Sequence, residues 1–518
     1  MYLTQNLHNS IQQTPDKVAT VFQGRQRTFA EIGERVARFA AGLRALGLQA
    51  GDRISMLALN SDWYLEYYLA TYWAGGVVNP INTRWSVEEI SYALNDCGSR
   101  FLIVDDTFIG VVDELRSQCP ELGTVIHVGD GPPPGDLYSW ETLVADNPPA
   151  EDALRGGDDL AGIYYTSGTT GKPKGAMLSH GNIFINAVGM AAEGLVRRGY
   201  VGLHSAPMFH LADGAFMNAM FSVGGCHVMV PAFEPVSVLQ TIAQERVSAM
   251  LLVPTMIQML VDHPERGNYD LSSVHSVMYG ASPIAEGLLD RAMAAFPSAG
   301  FAQAYGMTEL SPVATVLTAE MHREEGRKTG RHRSNGRAMV TAEVRIVDEH
   351  DNELPRGQVG EIVSRGPHVM LGYWNKPEAT AEAIRDGWMH TGDGGWMDEA
   401  GFVFVADRIK DMIITGGENV YSLEVENCLA SHPAVAQAAV VAIPSEQWGE
   451  AVHAFVVRAR DASVSAEELM AHCKQHIAGY KCPRSVDFID AMPLSGAGKV
   501  LKRQLRAPFW VGHTRNVE

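Results

Sequence analysis

Short apolar runs alternate with amphipathic helical stretches through the first 400 or so residues, and this alternation is what most narrows the fold. Residues 28 to 47 carry Phe29, Ile32, Val36, Phe39, Leu43 and Leu46 at intervals of three and four, the spacing of one helix face. Thr28 and Glu31 supply a capping box and Gly47 a C-terminal stop. A strand-length run, Ile54 to Leu59, follows at once. The pattern returns as a helix at Ser86 to Leu94 before a strand at Phe101 to Val104, and as a helix at Val236 to Glu245 before a strand at Ala249 to Val253. Such an order predicts an α/β fold, with parallel-rich sheets covered by helices.

A chain of 518 residues is too long for one core and predicts at least two domains. The texture changes near residue 405. Asp407-Arg-Ile-Lys-Asp411 is charged, and the rest holds a helix from Ser422, strands at Val435 to Ile443 and Val452 to Val457, and a helix from Ala466, enough for a small α+β domain. The expected division is 1–406, a hinge at 407–411, and 412–518. No repeat or low-complexity tract interrupts it, and Gly131-Pro-Pro-Pro-Gly135 reads as a surface loop.

A formal charge of −19 excludes nucleic acid and anionic membrane as general partners. The first residues, Met1-Tyr-Leu-Thr-Gln-Asn, lack a basic region before an apolar one, and no run of membrane-spanning length occurs. A cytoplasmic location is expected. The six cysteines have no framework spacing, so disulfides are not expected. His472, Cys473, His476 and Cys482 lie on a helical pattern without paired CxxC ligands, and helix packing is the expectation there.

Chemistry concentrates at Thr166-Ser-Gly-Thr-Thr-Gly-Lys-Pro-Lys-Gly175. Three glycines, four hydroxyl residues and two lysines follow the apolar Tyr164-Tyr165. Glycines let backbone NH groups converge on phosphate oxygens. The loop is not a Walker loop, since Pro173 stands where the second glycine belongs. Tyr305-Gly-Met-Thr-Glu309 offers an aromatic face, a hydroxyl and a carboxylate suited to purine, phosphate and Mg²⁺. Thr391-Gly-Asp393 reads as a tight turn presenting a carboxylate to ribose hydroxyls. Gly416-Gly-Glu-Asn419 reads as a loop that approaches something closely, and Lys499 is carried on the glycine-rich run Ser-Gly-Ala-Gly-Lys, by default a surface lysine.

Taken in order with PMFH (207–210), GAS (280–282), GYWNKPEAT (372–380) and DRIKD (407–411), these segments resemble the adenylate-forming superfamily, most closely its acyl- and aryl-CoA ligases. The resemblance implies a large amino-terminal domain, a small mobile carboxy-terminal domain, and ATP, Mg²⁺ and coenzyme A as reactants. A carboxylate attacks the ATP α-phosphate to give acyl-AMP and pyrophosphate, and the coenzyme A thiol then displaces AMP. The resemblance assigns Thr166, Ser167, Gly168, Thr169, Thr170, Gly171 and Lys174 to the phosphates, Thr308 to the α-phosphate and Glu309 to Mg²⁺. Gly280, Ala281, Ser282, Tyr305, Gly306 and Met307 border adenine, and Asp393 and Arg408 hold the ribose. Lys499 bridges carboxylate and α-phosphate, and Lys410 is the pivot. Gly416, Gly417, Glu418, Asn419 and Trp448 face coenzyme A.

The resemblance also places His210 at the acyl gate, with Met208, Gly214, Met217 and Ala304 as small, flexible or apolar candidates for the acyl pocket. With His210 where amino-acid adenylating relatives carry an aspartate, and Asp213 three residues on, a hydrophobic acid is expected: a medium- or long-chain fatty acid or a hydroxycinnamate such as ferulate. Luciferase-like oxygen chemistry, amino-acid adenylation and a non-catalytic adenylate binder are the rival functions, and a homodimer is compatible with the resemblance.

Overall fold

The computed structural model describes residues 1–166, 172–282, 284–460, 462–495 and 500–511. Two large mixed sheets form the amino-terminal part. In the nine-stranded sheet, Val18–Phe22, Cys226–Met229, Val201–His204, Ala249–Leu252, Ser276–Gly280 and Gly300–Tyr305 run parallel in that order. Thr315–Leu317 and Arg337–Ala338 close one edge antiparallel, and Arg25–Thr28 the other. The eight-stranded sheet centres on Arg53–Leu57 between Val77–Pro80 and Phe101–Asp105, all parallel. On its far side Leu160–Thr166 turns back antiparallel into Lys174–Ser179, which pairs with Gly372–Tyr373.

The expected elements are present with shifted ends: Phe29–Ala45 is a helix whose cap bonds run from Glu31 N to Thr28 Oγ1 (3.2 Å) and from Thr28 N to Glu31 Oε2 (2.7 Å). Val87–Cys97 and Pro235–Glu245 are the other two expected helices. All 13 residues of the helix Asp62–Ala74 are buried, as a helix apolar on every face must be. Its two carboxylates sit on guanidinium groups, Asp62 with Arg25 (2.8 Å) and Glu66 with Arg35 (2.7 Å). Buried charges persist only when paired in this way.

A third, antiparallel sheet follows, with Glu343–Val347, Gly360–Arg365, Trp388–Met397, Ile384–Arg385 and Val403–Arg408. It corrects one expectation. Thr391, Gly392 and Asp393 lie inside the ten-residue strand Trp388–Met397 and not in a turn. Gly392 takes φ +69°, and that left-handed residue bends the strand without ending it. The small carboxy-terminal unit has its own sheet, in which Ile413–Thr415, Glu418–Val420, Val435–Ser445 and Gly449–Arg458 are antiparallel and Ser485–Phe488 adds a parallel edge. The helices Ser422–Ala430 and Ala466–His476 complete a separate apolar core. Among the described residues, no helix is long and apolar enough to cross a membrane.

Candidate active site

The parallel strands Ser276–Gly280 and Gly300–Tyr305 end side by side, Gly280 paired with Ala304. A Cβ on Gly280 would lie 2.3 Å from Ala304 O, and one on Gly306 would lie 2.1 Å from Pro312 O. Only glycine permits this backbone contact, which forms a shelf beyond the carboxyl ends of the strands, the usual ligand position in such sheets. Ala281, at φ +66°, and Ser282 continue from its edge, with Ala281 exposed. The chain then runs from Tyr305 through Gly306 and Met307 into the short 3₁₀ turn Thr308–Leu310. Asn186 anchors the end of that turn, its amide donating to Leu310 O (3.2 Å) and Val313 O (2.7 Å).

On this shelf Glu309 is 5% exposed, and its Oε1 accepts a hydrogen bond from Tyr373 Oη at 2.8 Å. Lys174 Nζ stands 5.0 Å from the centroid of the same tyrosine ring, within cation–π range. The three residues are 64 and more positions apart in sequence. They meet because Gly372–Tyr373 pairs with Met177 and Ala176 on the strand that Lys174 opens. Burial first, then the Glu309 charge, hold the Tyr373 phenol well above its ordinary pKa, so it remains a donor. Glu309 Oε1 is thereby oriented, while Oε2 accepts no hydrogen bond from a described side chain. A carboxylate held at one oxygen suits a Mg²⁺ that takes its other ligands from phosphates and water. Thr166 pairs with Lys174 across the mouth of the loop between them. Ser167, Gly168, Thr169, Thr170 and Gly171 lie outside the described residues. Lys172 is directed elsewhere, 5.1 Å from the Tyr92 ring.

Asp393 is held from two sheets. Tyr305 Oη donates to its Oδ2 at 2.8 Å, and Arg408, its cross-strand partner, brings Nε to 3.4 Å from Oδ1. Burial, then the Asp393 charge, raise the Tyr305 pKa. The tyrosine expected beside adenine thus also fixes the expected ribose carboxylate.

On the acyl side, His210 caps the helix Leu211–Ser222, Nδ1 accepting from Ala212 N at 3.2 Å. That bond places a proton of the neutral ring on Nε2. Met208 and Met217 are buried in the main apolar core, and Tyr68 Oη donates to Met208 O at 2.9 Å. A Cβ on Gly214 would come within 3.6 Å of the same hydroxyl; Ala304 is half-buried. Asp213, 1% exposed, pairs with His204 Nδ1 at 2.7 Å, and His204 Nε2 in turn meets His227 Nδ1 at 2.9 Å. That aspartate, on the helix Leu211–Ser222, is engaged with the strand residue His204 through its Oδ2.

Residues 407–411 join these parts to the carboxy-terminal unit. Asp407 accepts from Arg408 N at 2.8 Å and from Ser422 N. Arg506 Nη1 is 3.4 Å from Asp411, and Lys502 pairs with Glu426 at 2.7 Å and bonds Ser422 Oγ. Lys410 is forced down to about 8 by burial and then by Arg408. Gly416 and Gly417 form the two-residue loop of the hairpin pairing Thr415 with Glu418, both glycines at positive φ (+60° and +83°), as a type I′ turn demands. Gly416 N donates to Trp448 O (2.9 Å), and a Cβ there would press 2.9 Å from the Trp448 ring. Glu418 and Asn419 are exposed next to them. Arg484, unremarked in the sequence, lies 5.8 Å from the Trp448 ring centroid. Lys499 lies outside the described residues; its neighbour Ser495 accepts from Arg84 Nη1 at 3.3 Å.

Tyr373 is the residue that motif reading left without a role. The signal was present, in the Gly-Tyr-Trp run at 372–374, but an aromatic after glycine in a short strand reads as core.

The family model for AMP-binding enzymes matches residues 7–374, and that for the AMP-binding enzyme C-terminal domain matches 424–499. The chain is 40% identical over 501 residues to a feruloyl-CoA synthase from Amycolatopsis sp, covering 96% of each chain. It is 36% identical over 513 residues to a medium/long-chain-fatty-acid–CoA ligase from Mycobacterium tuberculosis, covering 95% of this chain and 87% of that one. The anthranilate CoA ligase AuaEII in complex with anthranoyl-AMP superposes with a TM-score of 0.91 at 25% identity, covering 99% and 98% of the two chains. The chain belongs to the AMP-binding enzyme family, the adenylate-forming superfamily of acyl-CoA synthetases.

Proposed function

We propose that this enzyme activates a hydrophobic carboxylic acid, with hydroxycinnamates of the ferulate type as first choice, at the shelf where Glu309, Tyr373 and Lys174 meet. The reaction is ATP-dependent acyl-CoA ligation through acyl-AMP. The convergence of those three side chains beside the Tyr305–Asp393–Arg408 cluster is the observation that carries the reading. MgATP supplies the electrophilic α-phosphorus. In this reading Lys174, with Thr166 and the loop residues 167–171, binds phosphate oxygens. Glu309, oriented by Tyr373, ligates the magnesium. Asp393 and Arg408 accept the ribose, while Gly280, Ala281, Ser282, Tyr305, Gly306 and Met307 shape the adenine slot. Thr308 reaches the α-phosphate, and Lys499 offsets the charge between the two approaching anions, where preorganised cations act most strongly.

The acyl group passes His210 toward Met208, Gly214, Met217 and Ala304. The acid is preferred aromatic because the relative named for ferulate is 40% identical across 96% of the chain; a fatty acid is the second reading, on the M. tuberculosis ligase. The engagement of Asp213 with His204 disfavours α-amino acids. Rotation about Lys410 would then exchange Lys499 for Gly416, Gly417, Glu418, Asn419 and Trp448 at the thioester step, dividing the chain at 407–411. A cytoplasmic location fits these soluble reactants.

A panel of ferulate, 4-coumarate, octanoate, palmitate and phenylalanine, scored separately for pyrophosphate release and CoA thioester, tests this reading. Ferulate or a close analogue should give the highest kcat/KM in both assays. Preference for phenylalanine would overturn the substrate class, and pyrophosphate release without thioester would overturn the acceptor.

A further inference from the structure

Away from the nucleotide shelf, the helix Ala466–His476 packs on the helix Ser422–Ala430, and three metal-binding side chains meet at one end of that contact. His472 and His476, four residues apart, occupy one helix face, with ring centroids 4.3 Å apart. Cys428 comes from the facing helix. One ligand atom from each of the three lies within 4.8 Å of the others, with Cys428 buried, His472 half-buried and His476 exposed. The site therefore has a closed wall and an open mouth.

The two imidazoles are already oriented. His476 Nδ1 donates to His472 O at 2.8 Å, and His472 Nε2 donates to Cys428 O at 3.1 Å while meeting Ser431 Oγ at 2.8 Å. A backbone carbonyl on one ring nitrogen fixes the proton there and leaves the lone pair on the other, so a metal would take Nδ1 of His472 and Nε2 of His476. Cys473 and Cys482 belong to the apolar core of the unit. Because Cys428 is 44 residues from His472, the local run 472–482 does not reveal the set.

We propose that Cys428, His472 and His476 bind a borderline-soft divalent cation of the Zn²⁺ type, distinct from the Mg²⁺ of the nucleotide site. One thiolate and two imidazoles suit tetrahedral Zn²⁺ or Co²⁺ with water in the fourth position, and they discriminate against Mg²⁺, which demands oxygen ligands. Binding exchanges the thiol proton for the metal: Cys428 S–H and M²⁺ give S–M⁺ and H⁺. The bound ion ties together the two helices of the small unit.

The test is a Co²⁺ titration of the full-length, nucleotide-free protein, followed by displacement with Zn²⁺. The expected result is a near-ultraviolet thiolate-to-cobalt charge-transfer band with visible bands of four-coordinate Co²⁺, both lost on adding Zn²⁺. Cys428→Ser should abolish the charge-transfer band. His476→Asn, at an exposed position, should weaken Co²⁺ binding by at least about tenfold and cancel the rise in melting temperature that Zn²⁺ gives the wild type, with pyrophosphate release unchanged. No charge-transfer band, a band that persists in Cys428→Ser, or wild-type affinity in His476→Asn would overturn the proposal.

Discussion

Tyr373 Oη donates a 2.8 Å hydrogen bond to Glu309 Oε1, joining a strand at the edge of one large sheet to the turn that ends a strand of the other. The bond orients a buried carboxylate whose only described side-chain donor is that phenol. Tyr373→Phe keeps the ring beneath Lys174 but removes the donor. A hydrogen bond to a charged group is worth about 1.5–3 kcal/mol, so kcat/KM for pyrophosphate release should fall by about tenfold to a hundredfold. The apparent Mg²⁺ requirement should rise in parallel. A Mg²⁺ titration of both proteins checks this, and an unchanged half-saturation point would remove Glu309 from the metal.

Asp393 is shared between Tyr305 and Arg408. Asp393→Asn should raise the KM for ATP by about tenfold or more and leave the KM for the acid nearly unchanged. Tyr305→Phe should act in the same direction. Because both substitutions weaken the same Tyr305–Asp393 contact, one by neutralising its acceptor and the other by removing its donor, the double variant should cost less than the sum of the two, measurable as a double-mutant cycle in ATP kinetics.

Gly416→Ala places a Cβ 2.9 Å from the Trp448 ring on a residue at φ +60°, a strain of order 1–3 kcal/mol. If this hairpin serves only the thioester step, conversion of supplied acyl-AMP to thioester should slow while pyrophosphate release in the first turnover is kept. Equal loss in both would place the hairpin in adenylation as well.

How much of this was legible in the residues differs by the range of the interaction. The Thr28–Glu31 capping box and the helix Pro235–Glu245 are local, and the sequence shows them directly; the glycines at 416–417 read as a close-approach loop, and the strand pairing makes that loop a hairpin turn. The glycines at 280 and 306 were visible as site residues, though the backbone contact that requires them needs the register of two strands. Three features lay out of reach for the same physical reason. The Tyr373–Glu309 bond, the Asp213–His204–His227 chain and the meeting of Cys428 with His472 each join segments that sheet or helix packing brings together. Thr391-Gly-Asp393 misled in the opposite way, since a glycine that usually ends a strand here only bends one.

Burial, and then the charge of Arg408, hold the Lys410 ammonium down to about 8, against about 10.5 for an unburied lysine. Between those values the unfolded chain binds more protons than the folded one, so this group's contribution makes stability rise with pH across about 8 to 10.5. Lys410→Met should remove that contribution. Denaturant midpoints of wild type and variant at pH 7, 8.5 and 10 check it: the advantage of the variant should be largest at pH 7 and shrink toward pH 10. A constant difference would mean Lys410 is not buried in its folded setting.

Activation of the acid on the α-phosphorus of ATP, through acyl-AMP, separates this chemistry from an acyl-phosphate route. Ferulate labelled with oxygen-18 in its carboxylate, turned over with ATP and coenzyme A, tests it in one mass-spectrometric measurement. Attack at the α-phosphorus followed by thiolysis must leave one labelled oxygen in AMP and none in pyrophosphate. Label in orthophosphate, formed together with ADP, would contradict the acyl-AMP pathway and the roles assigned here to Glu309, Lys174 and Lys499.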